Sequence, residues 1–162
     1  MGRVRRLLIV IAAVAVLATL TVGFALAQGS HGPAPRSRVI HVVGGPGGHQ
    51  QFFDFANDGL TLGDRLAAVR PLLNQDQTAR VGTSYLDCWV GASVLQEGSP
   101  YVCDYVLKFK DGNITTQGLD PHGVSDVFFS LTGGTGAYEG ATGQAEYIDS
   151  ETQTDIIITL DE

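Results

Sequence analysis

The chain is short of positive charge, of cysteine and of every compact catalytic signature. Its 162 residues hold 10 lysines and arginines against 17 acids, and three of the basic residues, Arg3, Arg5 and Arg6, stand at the extreme N-terminus. Without that segment seven basic residues face the 17 acids, a formal charge of −10 with neutral histidines. A surface of that sign repels phosphate backbones and anionic membranes, and no basic stripe interrupts it, so nucleic-acid function is excluded. The four histidines, His31, His41, His49 and His122, are scattered rather than set at zinc-ligand spacing, and no metal is expected. No Gly-Lys-Ser/Thr ending follows any glycine run, which removes a phosphate-binding loop. No nucleophile elbow marks Ser/His/Asp catalysis, and no cofactor is expected.

What is present begins with a targeting pattern. After the three arginines, residues 7–24 carry no charge, and Ala25-Leu26-Ala27 offers small residues where a signal peptidase reads. The pattern predicts a signal peptide over 1–27, a mature chain from Gln28 and a secreted protein that leaves the membrane on cleavage. The competing reading is an uncleaved anchor, since about 18 apolar residues just span a bilayer; the polar Gln28-Gly29-Ser30 argues for cleavage. Residues 28–38 read as a flexible linker of Pro, Gly and Ser. Residues 39–162 have the size of one domain with one core.

An even cysteine count in an oxidising compartment reads as a disulfide, here Cys88–Cys103. Closing that loop would stabilise the fold by about 3 kcal/mol in the chain-entropy model. The other reading is two buried thiols.

Nearly every later segment has strand character with turn chemistry between. Strands are expected over 38–43, 49–55, 79–94, 100–110, 113–117, 123–132, 141–149 and 153–160. A glycine-rich loop, 44–48, divides the first two, and Asp111-Gly112 is a two-residue hairpin signal. Residues 61–73 read as a short helix, with Leu62, Leu66 and Val69 at helical spacing, or as an irregular connection. Asp120-Pro121-His122-Gly123 reads as a turn, and Asp126, Glu139 and Glu146 as solvated acids. Sequential strands on short turns imply antiparallel pairing in a closed barrel or a sandwich.

Alternation along 100–110 puts Tyr101, Cys103, Tyr105, Leu107 and Phe109 on one face. On the preceding strand Ser84, Leu86, Val90 and Ala92 share the face of Cys88. A bridge between the cysteines sets both faces toward the interior and places Asp87 opposite Asp104, either a solvated pair or a weak cation site. Strict pairing would put the turn at Leu95-Gln96, whereas Glu97-Gly98-Ser99-Pro100 has the better turn composition, so a bulge or a stagger is expected.

The densest signal is a glycine corner, Thr132 to Gly143 (TGGTGAYEGATG), with Gly133, Gly134, Gly136, Gly140 and Gly143 where a chain turns sharply between strands. It resembles the hallmark corner of the allene oxide cyclase family, within the wider group of allene oxide cyclase-like and dirigent-like barrels. Leu62-Gly63-Asp64, the VGTSYLDC strand ending at Cys88, and Thr116-Gln117-Gly118 resemble further family segments in the right order. The likeness runs from about residue 60 to the C-terminus.

That resemblance implies a single eight-stranded antiparallel β-barrel with a small apolar lumen, often assembled as a homotrimer. Plant cyclases steer ring closure of a fatty-acid epoxide with a glutamate from the first strand and its loop. Residues 39–55 hold no glutamate. The family cysteine matches Cys88, and the arginine that dirigent-like members carry before the last corner glycine is Thr142 here. The expectation is therefore a barrel that binds a small apolar ligand, with Leu86, Tyr101, Tyr105 and Phe109 as lumen candidates and no assigned catalytic residue. A cyclase or isomerase that templates a reactive intermediate is one alternative, and a non-catalytic assembly module is another.

Overall fold

The structure, a computed structural model, describes residues 37–92 and 98–161. Nine strands follow one another: β1 (Ser37–Gly44), β2 (His49–Phe53), β3 (Arg65–Asn74), β4 (Arg80–Val90), β5 (Pro100–Phe109), β6 (Asn113–Pro121), β7 (Asp126–Gly134), β8 (Gly143–Asp149) and β9 (Thr154–Asp161). One 3-10 turn, Gly136–Tyr138, lies between β7 and β8. Every pairing is antiparallel, in the order β1-β9-β8-β7-β6-β5-β4-β3-β2. Contact of β1 with β3 closes eight strands into a barrel and leaves β2 as a ninth against the first half of β3. Closure removes the free edges that an open sheet would expose.

Period-two alternation builds the wall. In β9, Thr154, Ile156, Ile158 and Leu160 are buried and alternate with partly exposed residues. Cys88, Val90, Cys103, Leu107, Ile114, Phe129, Ala145 and Tyr147 complete the interior. Cys88 and Cys103 are directly opposed in the β4–β5 register and form a disulfide. Their pairing continues without a bulge from Gly82 and Phe109 to Gly91 and Pro100. The expected bulge or stagger is thus absent from the described part of the hairpin; residues 93–97, where the tip was expected, lie outside it. Asp87 does face Asp104, but each carboxylate has its own partner. Arg65 pairs with Asp87, and Gln117 donates to Asp104 at 2.8 Å.

Residues 65–74 are a strand, not a helix or an irregular connection. Leu66, Ala68, Arg70 and Leu72 point inward opposite Cys88, Leu86, Ser84 and Gly82, whereas Leu62 and Val69 are exposed. The helical spacing of Leu62, Leu66 and Val69 therefore marked no buried face. Pro71 is tolerated because β3 changes neighbours there, with β2 opposite 65–69 and β1 opposite 72–74. Its carbonyl accepts Gly45 N–H at 2.8 Å, so its missing donor faces a gap rather than a ladder. Residues 44–48 do not reverse the chain. β1 and β2 run in the same direction along β3 with a two-residue offset, one strand interrupted by a glycine jog.

The glycine corner closes one end of the barrel. Four of its glycines have positive φ, and Gly136 at +63° sits where a Cβ would meet the Asp111 carbonyl oxygen at 2.2 Å. The corner seats Tyr138 in the barrel end, its ring 5.5 Å from that of Phe109 and under the Arg38 guanidinium at 5.8 Å.

Candidate functional site

The opposite end of the barrel is open. It is formed where β4, β6 and β8 finish and where β3, β5, β7 and β9 begin. An aromatic cluster separates it from the corner: Tyr105 stacks on Tyr147 at 4.3 Å, and Phe129 lies 5.4 Å and 5.0 Å from those two rings. Tyr147 is wholly buried, and its hydroxyl shares a 3.0 Å hydrogen bond with Thr116.

Above this cluster lies a cavity of about 150 Å³. Leu66, Ala68, Leu86, Tyr105 and Ile156 form its apolar wall, and Gln50, Arg70, Ser84, Asp120, Asp149 and Thr154 its polar part. A cavity of that size in a protein interior holds one benzene-sized molecule. It meets a wider mouth of about 430 Å³, which shares Gln50, Leu66, Asp120 and Asp149 and adds Phe52, Tyr101, His122 and Val124. Tyr101 and His122 meet edge-on at 6.1 Å.

The site has an uneven charge. Asp120 is half-buried on the inner face of β6, and no donor among the described residues bonds its carboxylate. Burial, reinforced by the nearby Asp149 charge and opposed by His122, pushes its pKa up to about 6. Asp149 accepts from Thr154 Oγ1, and Arg70 donates to Gln50 Oε1 at 3.2 Å. Burial, with Tyr147 and the two aspartates adding to it, holds the Tyr105 phenol well above its ordinary value. Burial also raises Tyr101. An unionised phenol and a carboxylate balanced near neutrality can orient a polar group and exchange a proton with it.

Of the residues singled out from sequence, Leu86 and Tyr105 line the cavity and Tyr101 lines the mouth. Phe109 points inward but packs at the closed end against Tyr138, away from the cavity. Asp120 has the sequence surroundings of a turn. β6 runs on to Pro121, the turn falls at 121–124, and the carboxylate faces the lumen. The period-two pattern Ile114, Thr116, Gly118, Asp120 was the signal available for it. Asp126 and Glu139 are exposed, and Glu146 is on the outer face of β8. Elsewhere Asp54, Asp58 and Asp64 bring carboxylate oxygens within 4.8 Å of one another. Those of Asp54 and Asp64 accept backbone N–H groups of Phe55, Asp58, Gly59 and Thr61, which ties the loop before β3 together.

No family model matches the chain. Solved structures do. A pyocyanin demethylase superposes with a TM-score of 0.65 at 21% identity, over 76% of this chain and 99% of that one. An exo-specific intermolecular Diels–Alderase gives 0.61 at 15%, over 80% and 100%. A pterocarpan synthase dirigent protein gives 0.59 at 17%, over 78% and 96%. At these identities the likeness is one of fold: the chain shares the barrel of these demethylase, Diels–Alderase and dirigent structures.

Proposed function

We propose that this protein is an exported barrel that binds a small, mostly apolar ligand in its lumen. The observation that carries the reading is the 150 Å³ cavity, apolar below and polar at its mouth, held above a packed aromatic cluster. Pockets of that make-up draw affinity from apolar burial and orientation from a few polar groups. Export is supported by the N-terminal pattern and by the Cys88–Cys103 disulfide.

A second reading, a templating enzyme, is favoured by Asp120 and Tyr105 in the same cavity and by neighbours named as a Diels–Alderase, a dirigent protein and a demethylase. Such a barrel would accelerate a reaction by holding the substrate in a reactive shape away from water.

Leu86→Trp tests both readings by filling the lumen from the wall. Native mass spectrometry of protein from its own source should find a retained small molecule, and the Trp variant should lose it while keeping a cooperative melt. A retained molecule that survives the substitution would place binding elsewhere. Turnover of a candidate substrate, abolished by the same change, would select the enzyme.

A further inference from the structure

Two polar groups that open onto the lumen have no hydrogen-bond partner among the described residues. The Asp120 carboxylate accepts from no described donor, and the part-exposed Tyr105, which lines the same cavity, makes no hydroxyl hydrogen bond with any described residue. Neither is a buried orphan, since both open onto the cavity, where a ligand can reach them. The charges around them do not balance. Asp120 from β6 and Asp149 from β8 face Arg70 from β3, so the cavity carries one excess negative charge. The other titratable groups nearby are Tyr101 and Tyr105 on β5 and His122 after β6. A carboxylate-bearing ligand would add a third negative charge against the single guanidinium of Arg70.

We propose that the lumen selects a ring-sized apolar molecule bearing one positive charge, its ammonium held by Asp120 and Asp149 and its ring against Leu86, Tyr105 and Ile156. This rests on the lumen-binding reading and adds the sign of the ligand. Size follows from the cavity, which takes one ring and leaves the charged end at the mouth. The ammonium supplies the donor Asp120 lacks, and the tyrosine ring faces favour a cation as well.

The pH dependence has a definite sign. An ammonium needs Asp120 ionised, and with a pKa of about 6 only about a tenth of the protein is so at pH 5, which weakens the apparent affinity about tenfold relative to pH 8.

Three probes of one shape test this by calorimetry: benzylamine, an ammonium across that range, benzyl alcohol and phenylacetate. The expected order at pH 8 is benzylamine first, by about tenfold or more, and phenylacetate last. Benzylamine alone should weaken toward pH 5. Asp120→Asn should abolish the preference while keeping benzyl alcohol, which also shows that the variant is folded, and Leu86→Trp should remove all three. Equal binding of benzylamine and benzyl alcohol, or a preference for phenylacetate, overturns the charge selection and leaves lumen binding standing. Benzylamine binding that survives Leu86→Trp places the cation outside the lumen and overturns the proposal. Binding of none of the three overturns it together with the lumen reading on which it rests.

Discussion

Asp120 is held where its charged form is disfavoured, and this has a consequence for folding separate from any ligand. Its pKa rises from 3.8 to about 6 on folding. Below about pH 4 both states carry the proton and the residue is neutral to stability. Between pH 4 and 6 the unfolded chain releases its proton first, so stability falls as pH rises, and the full penalty is present above 6. Asp120→Asn should therefore stabilise the protein at pH 8 by about 1 kcal/mol, a value reduced from the raw shift because the group is partly solvent-screened. The melting temperature should rise by about 4 °C and the gain should vanish by pH 4. An Asn variant that melts lower at every pH would mean that the carboxylate accepts a structural bond. A residue that costs stability at its own position is what a binding site built at the expense of the fold looks like. The turn composition of Asp-Pro-His-Gly outweighed the period-two signal, and the pairing of β5 with β6 up to Pro100 and Pro121 shows that the strand continues.

At the level of elements, legibility followed how locally each one is determined. The β4–β5 hairpin was readable from two cysteines and an alternating apolar face, whose simple register holds residue by residue, while the turn composition at 97–100 pointed to a bulge or stagger that the described part lacks. The turn after β5 was signalled by Asp111-Gly112 but lies one residue earlier: Phe109 N–H bonds to the Gly112 carbonyl at 2.8 Å and Lys108 faces Asn113, so Lys110 and Asp111 are the two loop residues. β3 was not readable, because its strand state depends on pairing with other strands rather than on its own composition. Its Arg-Leu-Ala-Ala-Val-Arg segment favours a helix locally and is overruled by ladders to β4 on one side and to β2 and β1 on the other. The jog at 44–48 was hidden for the same reason. The hairpin carries a prediction. The bridge joins residues 15 apart, and replacing both cysteines by serine should cost about 3 kcal/mol, read as a lower denaturation midpoint with an unchanged or steeper slope. A midpoint that does not move would mean that the opposed strands hold their register without the bridge.

For the molecule as a whole, the corner and the mouth divide the labour. Tyr138 and the glycine corner stop one end and the aromatic cluster fills the middle, so access to the lumen runs through the end that carries Asp120 and Asp149. The corner motif was legible as a barrel signature but says nothing of that other end, where the chemistry lies. The outer wall also departs from a solvated surface. Trp89, Val102 and Leu119 lie side by side across β4, β5 and β6, and Val69, Tyr85 and Val106 form a second row across β3, β4 and β5, all of them exposed. Between the rows run Ala67, Asp87, Asp104 and Gln117, the middle two already paired. Two apolar rows across one sheet face are more than scattered surface hydrophobics. The homotrimer that the family resemblance implies would bury these rows, and that expectation can be tested. Sedimentation of the purified protein should then give three times the monomer mass. Leu119→Glu, at an exposed site, should yield monomers with an unchanged melt in dilute solution, because the charge opposes association and leaves the barrel interior untouched. A wild-type protein that sediments as a monomer at every concentration would overturn self-association and leave these rows to a different partner.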